Sequence, residues 1–465
     1  MTDGAAPTFK QDLRHIAALA WPVFVGQAAV LAFSTIDTLL LARHDARDLA
    51  ALAVGSAAYI SVFIGLMGVV IAIGPIAGRL FGARRLPEAG AQLQQAFWLA
   101  LALAVPGCAL LAFPQPFLAL AQATPEVALR TRGYMAALAC ALPAALLFAV
   151  FRGFNTAVSR PKAVMVLQVG ALVLKLPLSW LLVFGLPGWK LPALGVTGCG
   201  IATAALMWLQ ALAALGLLRR DPFYAPFRLR GLRRPQWVSL KALLKLGVPM
   251  GLSIVVEVTG FTFMAFFISR LGTLPVAGHQ IAANLAGLLY MLPLAIGNAC
   301  GTLVAQRIGA EDPVGACRLG WRGVQIAAIG ALALGLLLFI ARPTIVGLYT
   351  HEAAVAAAAL PLLGWLSLFH LGDAVQAVVA SVLRAWHVTT LPMLIYALAV
   401  WVLGLGGGYL LAFDGLDLDM AAFQGARGFW SAAAAGLIAA AAALTLLLAR
   451  VNRRGIVPTG ASNRH

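Results

Sequence analysis

Long apolar runs, each broken by a short polar stretch, organise this chain from end to end. They fall near 15-41, 50-77, 93-113, 133-151, 163-185, 195-218, 243-269, 277-306, 323-341, 355-383, 390-413 and 425-449. A helix rises 1.5 Å per residue, so about 20 apolar residues cross roughly 30 Å of hydrocarbon. The pattern therefore predicts an all-α membrane protein of about 12 transmembrane helices. The first run is too long for the apolar core of a cleavable signal and has a counterpart later in the chain, so it is expected to be a retained helix.

Sliding the sequence on itself reveals a repeat at an offset of 227 residues. Pro22 meets Pro249, Arg43 meets Arg270, Gly74 meets Gly301, and Gly82-Ala83 meets Gly309-Ala310. At slightly changed offsets Arg152 meets Arg384, Pro161 meets Pro392, and Gly195-x-x-Gly198 meets Gly425-x-x-Gly428. An offset of six helices keeps both copies in one orientation, so the halves are two six-helix lobes related by a parallel pseudo-two-fold axis along the membrane normal. The expected division is 1-220, a connector at 221-242, and 243-465 with a basic tail. Pro22, Pro143, Pro177, Pro249, Pro293 and Pro392 are placed inside spans, where each removes a backbone donor and invites a kink. The 47 glycines suit close helix packing in lipid.

With 62% hydrophobic and 11% charged residues, the chain lies far from the roughly one-quarter charged content of soluble domains. Its net charge of +17 would suggest nucleic acid in a soluble protein. With a cytoplasmic N-terminus, however, the 33 Lys and Arg divide as 24 in cytoplasmic segments, 8 in external ones and 1 inside a span. That is the positive-inside bias, and it predicts both termini in the cytoplasm. Arg219, Arg220, Arg228, Arg230, Arg233, Arg234, Lys241 and Lys245 lie in or beside the connector, where they are expected to set topology and touch anionic lipid. No aromatic-basic module accompanies them, so no nucleic-acid partner is expected. The five cysteines, Cys108, Cys140, Cys199, Cys300 and Cys317, have no metal-like spacing and read as small packing residues.

Set loops and span ends aside, and only four formal charges remain well inside apolar runs: Asp37, Lys175, Glu257 and Asp373. A charge at the bilayer centre costs roughly 3 kcal/mol on insertion scales, so each needs a partner, a wet cavity or a bound proton. Glu257 and Asp373 cannot neutralise each other, and by this census the second half holds no intramembrane base. They are the candidate cation-coupling pair, able to hold a transient Na⁺. Helical spacing sets His370 and Gln376 beside Asp373, and puts Gln280 and Asn284 on one face of span eight. Tyr290 could offer a π-face to an organic cation. These residues are the candidate polar cavity, each with packing alone as the alternative. In the first half, Asp37 and Lys175 differ in depth by roughly 6 Å, a gap that a lysine stem could bridge. The alternative is that Lys175 snorkels to an interface and never meets Asp37.

At this point the sequence resembles the multidrug and toxic compound extrusion (MATE) family, in its bacterial NorM-like branch. The residues that carry the resemblance are Trp21-Pro22 with Asp37, Gly78 to Gly82, and His279-Gln280-Ile281-Ala282-Ala283-Asn284 through Gly309-Ala310. They continue with Gly372-Asp373-Ala374-Val375-Gln376, then Leu383-Arg384-Ala385 and Thr390-Leu391-Pro392-Met393. The resemblance implies a two-lobed bundle that alternates between outward-open and inward-open states and exports cationic amphipathic molecules against Na⁺ or H⁺. An inner-membrane monomer without cofactor or structural metal is expected. It assigns cation coupling to Asp37, Glu257 and Asp373. Family members commonly carry asparagines in span five that help a first-lobe cation site, where this chain places Lys175 and Ser179. That departure weights coupling toward the second lobe.

Other readings fit less well. A major facilitator transporter also has twelve helices in parallel halves, but Gly78-Arg79-Leu80-Phe81-Gly82-Ala83-Arg84-Arg85 lacks the expected acid before the arginine. A lipid-linked oligosaccharide flippase needs several basic groups for phosphates, and this interior has three acids to one base. An enzyme would need a nucleophile-base pair or metal cluster, and neither His279 nor His370 sits in such a motif. No filter-like segment suggests a channel.

Overall fold

The computed structural model describes residues 8–122, 124–186, 192–229, 231, 233–413 and 423–456. Arg230 of the basic connector, the first seven residues and the basic tail beyond 456 lie outside the described residues. Among the described residues, twelve helices are long and apolar enough to cross a bilayer: α1 (Phe9–Ala42), α2 (Ala46–Gly82), α3 (Leu86–Ala112), α4 (Pro125–Ala157), α5 (Pro161–Phe184) and α6 (Gly195–Arg220) in the first half. In the second half they are α7 (Trp237–Ser269), α8 (Thr273–Gly309), α9 (Pro313–Tyr349), α10 (Ala353–Ala385), α11 (Thr390–Ala412) and α12 (Ala426–Arg454). The chain is thus a multi-pass membrane protein with the expected number of spans.

Local chemistry sets several helix ends. Asp45 accepts from the Arg47 amide at 2.8 Å and Asp312 from the Gly315 amide at 2.7 Å, each satisfying a donor that the helix leaves free. The Arg47 amide and the Arg130 guanidinium together hold the Asp45 carboxyl below the usual range. Pro125, Pro161 and Pro313 open their helices, where the missing N–H costs nothing. Pro392, expected inside a span, sits in the first turn of α11 for the same reason. Two spans are irregular. α2 is interrupted by a turn at Ile71–Ala72, and α11 runs through π-helical turns at Leu398–Gly406.

Packing divides the chain into two compact units, Pro22–Gly251 and the described part of Met1–Trp21 with Leu252–His465. The boundaries fall inside α1 and α7, one residue before Pro22 and two after Pro249, rather than at the connector. In the first-half unit, Leu93, Leu142, Phe151 and Phe154 centre a large core; in the other, Ile268, Leu363, Phe429 and Trp430 do the same. The start of α1 joins the latter unit, with Asp12 Oδ2 3.7 Å from Arg318 Nε and the Arg322 guanidinium 4.9 Å from the Phe9 ring.

The connector is strapped onto the first-half unit. Gln94 Nε2 donates to the carbonyls of Leu229 (3.3 Å) and Gly231 (2.8 Å), Gln95 Nε2 to that of Arg234 (2.9 Å), and Trp98 Nε1 to that of Arg233 (2.9 Å). Phe227 is buried beside Phe154 and Phe81, and Tyr224 donates to Asn155 Oδ1. Arg160 closes on Asp221 at 2.6 Å. The Phe223 amide and that guanidinium keep the Asp221 carboxyl below its ordinary range. In the first turn of α2, the buried Asp48 joins Arg130 at 2.7 Å and His44 at 2.8 Å, tying the α1–α2 turn to α2 and α4.

Candidate functional site

In the second-half unit, five spans enclose a cavity of about 360 Å³. Each contributes a helical stripe. Glu257, Gly260, Phe261 and Met264 come from α7, and Ala283, Ala286, Gly287 and Tyr290 from α8, both at i, i+3, i+4 and i+7. Phe369 and Asp373 come from α10, Tyr396, Val400 and Gly404 from α11, and Ala433 and Leu437 from α12. The two candidate acids therefore face one largely apolar space, with Tyr290 beside them. The Tyr396 phenol donates to the Glu257 carboxylate.

Gly372 explains how Asp373 is held there. A Cβ at Gly372 would lie 2.8 Å from the Ile438 nitrogen and 2.9 Å from the Leu437 carbonyl carbon, so α10 and α12 approach at backbone distance. Asp373 is the next residue and inherits its position from that contact.

The remaining expected polar residues fall outside the cavity lining. Phe369 and Asp373 are the α10 residues of the lining; from the direction midway between them His370 lies about 80° and Gln376 about 40° away, and neither borders the cavity. Both are buried, and His370 Nε2 has no hydrogen-bond partner among the described residues. His279 Nδ1 instead receives the Trp430 indole N–H at 3.3 Å. Gln280 and Asn284 are exposed at the protein surface, and Asn284 accepts from the Tyr349 hydroxyl at 2.8 Å.

One expectation is overturned. The second half does hold a base near one of its acids, because the Arg384 guanidinium interacts electrostatically with Glu257 as well as with Tyr290 and Tyr396. Arg384 sits in the last turn of α10, which the census set aside as a span end. Side chains on a helix point back toward its N-terminus, so a long stem there reaches into the span. Its repeat mate Arg152 contacts Met67 Sδ at 3.0 Å. Tyr396 was also missed, since a neutral phenol escapes a census of formal charge. Its spacing from Val400 and Gly404, i, i+4 and i+8, was the available signal.

The first-half unit is built differently. Lys175 and Asp37 do meet, with Nζ 2.8 Å from Oδ1, and the lysine side chain is fully buried. The ammonium also donates to Thr203 Oγ1 at 2.6 Å and lies 5.4 Å from the centre of the Phe33 ring. Asp37 Oδ1 further accepts from the Cys199 thiol at 3.2 Å and, at 3.4 Å, from the Ser179 hydroxyl. No cluster of metal-ligating side chains occurs among the described residues.

Comparison with known proteins places this architecture. A MatE family model matches residues 22–181 and 249–410, one stretch in each half. The chain belongs to the MATE family. Its NorM-like branch is marked by a "Probable multidrug resistance protein NorM" of Aromatoleum aromaticum, 44% identical over 437 residues, covering 94% of this chain and 93% of that one. The multidrug resistance protein NorM of Vibrio cholerae is 32% identical over 434 residues, 93% and 94% of the two chains. Among solved structures, a eukaryotic MATE transporter superposes with a TM-score of 0.84 at 20% identity, covering 96% of this chain and 98% of the other. A Vibrio cholerae MATE transporter in a bent form gives 0.83 at 18% identity, covering 96% and 98%. At the level of the family the chain is therefore a multidrug-efflux transporter and not an enzyme.

Proposed function

We propose that this MATE transporter exports cationic amphipathic molecules in exchange for Na⁺ or H⁺, and that the exchange takes place on Glu257 and Asp373. The observation that carries the reading is that both acids face one apolar cavity of about 360 Å³, with Tyr290, Phe261 and Phe369 around them. Two carboxylates in a low-dielectric space need a cation between them or a proton on one. An organic cation stacked on the aromatic faces would compete for the same charge. Binding one species then requires release of the other, which is the chemical requirement of antiport.

The distribution of Lys and Arg supports an inner-membrane orientation with both termini in the cytoplasm. On that orientation the exposed Arg228, Arg233 and Arg234 of the strapped connector meet anionic headgroups of the inner leaflet. The test is ethidium efflux from proteoliposomes under separately imposed Na⁺ and pH gradients. Glu257→Gln and Asp373→Asn should each abolish ion-driven efflux while the protein still inserts, because losing a charge does not raise the insertion cost. Normal gradient-driven efflux in either variant removes that residue from coupling.

A further inference from the structure

Two lobes descend from one repeated template, yet their acids have opposite surroundings. In the second half, Glu257 and Asp373 border open space. In the first half, the carboxylate of Asp37 is filled at contact distance by an amine of the same chain. The surroundings of that amine are those of a small-cation site: a carboxylate oxygen at 2.8 Å, a hydroxyl oxygen at 2.6 Å and an aromatic face at 5.4 Å. Thr203 fits the part, because its hydroxyl hydrogen goes to the Cys199 carbonyl at 3.0 Å and leaves a lone pair for the ammonium. Ser179 and Cys199 complete the shell around Asp37 Oδ1. The Lys175 stem seals it, leaving the side chain no exposure.

We infer that the Lys175 ammonium is a built-in cation, tethered in a monovalent-cation site made by Asp37, Thr203 and the Phe33 ring, so that the first lobe takes no exchangeable ion from solution. Removing the stem opens that site to a free ion of matching chemistry, a primary alkylammonium. Occupancy by Lys175 is independent of the antiport reading, whereas the confinement of exchange to Glu257 and Asp373 rests on it.

The stem that Lys175→Ala deletes is three carbons and an ammonium, so the probe is n-propylammonium chloride, with tetramethylammonium chloride as a cation that has no N–H to donate. Thermal unfolding in detergent is followed in a Glu257→Gln/Asp373→Asn background, which silences the second-lobe acids. Lys175→Ala should unfold at a lower temperature than its parent. n-Propylammonium should raise its midpoint in a saturable way toward the parent value, and tetramethylammonium should not. The parent and Lys175→Ala/Asp37→Asn should show no such shift. A shift of equal size in the parent, one that survives Asp37→Asn, or none at all overturns the built-in cation. If Lys175→Ala is recovered folded only when n-propylammonium is present during purification, that is the same rescue. Recovery with neither salt counts against it. Liposomes carry the second arm, in which ion-driven ethidium efflux remaining in Glu257→Gln/Asp373→Asn overturns a silent first lobe. Absence of ion-driven efflux in the wild type defeats the antiport reading and leaves the propylammonium result standing.

Discussion

Replacing Gly372 by alanine moves Asp373 without touching its chemistry. The new Cβ would stand 2.8 Å from the Ile438 nitrogen, 2.9 Å from the Leu437 carbonyl carbon and 3.1 Å from Leu437 Cβ. Comfortable contact lies at about 3.5–4.0 Å, so α10 and α12 must part by roughly 1 Å. Two of the three obstacles are backbone atoms, which cannot rotate away. Overpacking of this kind costs about 1–3 kcal/mol. The displacement falls on the residue that presents its carboxylate to the cavity, and a site loosened by about 1 Å loses its geometry. The expected result is a lower unfolding midpoint together with reduced ion-driven efflux. Gly330→Ala in α9 is the control, because a Cβ there meets nothing within 4 Å. It should raise stability by up to about 1 kcal/mol through helix propensity and leave efflux alone. Equal midpoints for the two variants, with efflux intact in Gly372→Ala, would refute the claim that the α10–α12 contact positions Asp373.

Three further outcomes are expected. Tyr396→Phe deletes the phenol that donates to Glu257, at a cost of about 1.5–3 kcal/mol for a bond to a charged group, and should weaken efflux more than expression; unchanged efflux would leave Tyr396 a packing residue. In a thermal cycle across Lys175→Ala, Asp37→Asn and the double variant, each single should lose about 3–5 kcal/mol and the double should lose less than their sum, since the groups touch at 2.8 Å; strictly additive losses would mean no pair. For the connector, reporters fused around Arg228–Arg234 should read as cytoplasmic, and Gln95→Ala should speed tryptic cleavage there by freeing the Arg234 carbonyl and the Gln236 amide.

What the sequence made legible follows from what bilayers penalise. Apolar length set the twelve spans, and the cost of buried charge singled out Asp37, Lys175, Glu257 and Asp373. Depth arithmetic brought Asp37 and Lys175 within reach of each other, and they meet. Features that carry no insertion penalty stayed hidden. Arg384 sits in a last turn, where sequence position suggests an interface and only the backward lean of the stem brings the charge inside. Gln94, Gln95 and Trp98 look like ordinary residues at a span end, yet they satisfy connector carbonyls more than 130 residues away. Spacing sets His370 and Gln376 beside Asp373, but positions i−3 and i+3 lie about 60° to either side of it, and the cavity is lined by the i−4 partner, Phe369. The π-helical turns of α11 lie where α12 comes close, since a Cβ at Gly436 would meet the Ala399 carbonyl at 2.5 Å. A period count cannot register that.

Divergence between the halves is a matter of charge more than of shape. Each half keeps one arginine at the equivalent position, Arg152 and Arg384. In the first half, Asp37 already has an ammonium at contact distance, so the carboxylate is satisfied without help from solution. In the second, Glu257 and Asp373 face one cavity and the Arg384 guanidinium interacts with Glu257, so with both acids ionised the formal sum of the three is −2 + 1 = −1. A low-dielectric cavity does not tolerate that remainder unpaired, and the nearest protein dipoles, the phenols of Tyr290 and Tyr396, can soften it without cancelling it. On the proposed function, the missing charge comes from outside as Na⁺, as H⁺ or as an organic cation. On that reading one vacancy open to all three is sufficient for exchange, and the cavity bordered by both acids lies in that same half.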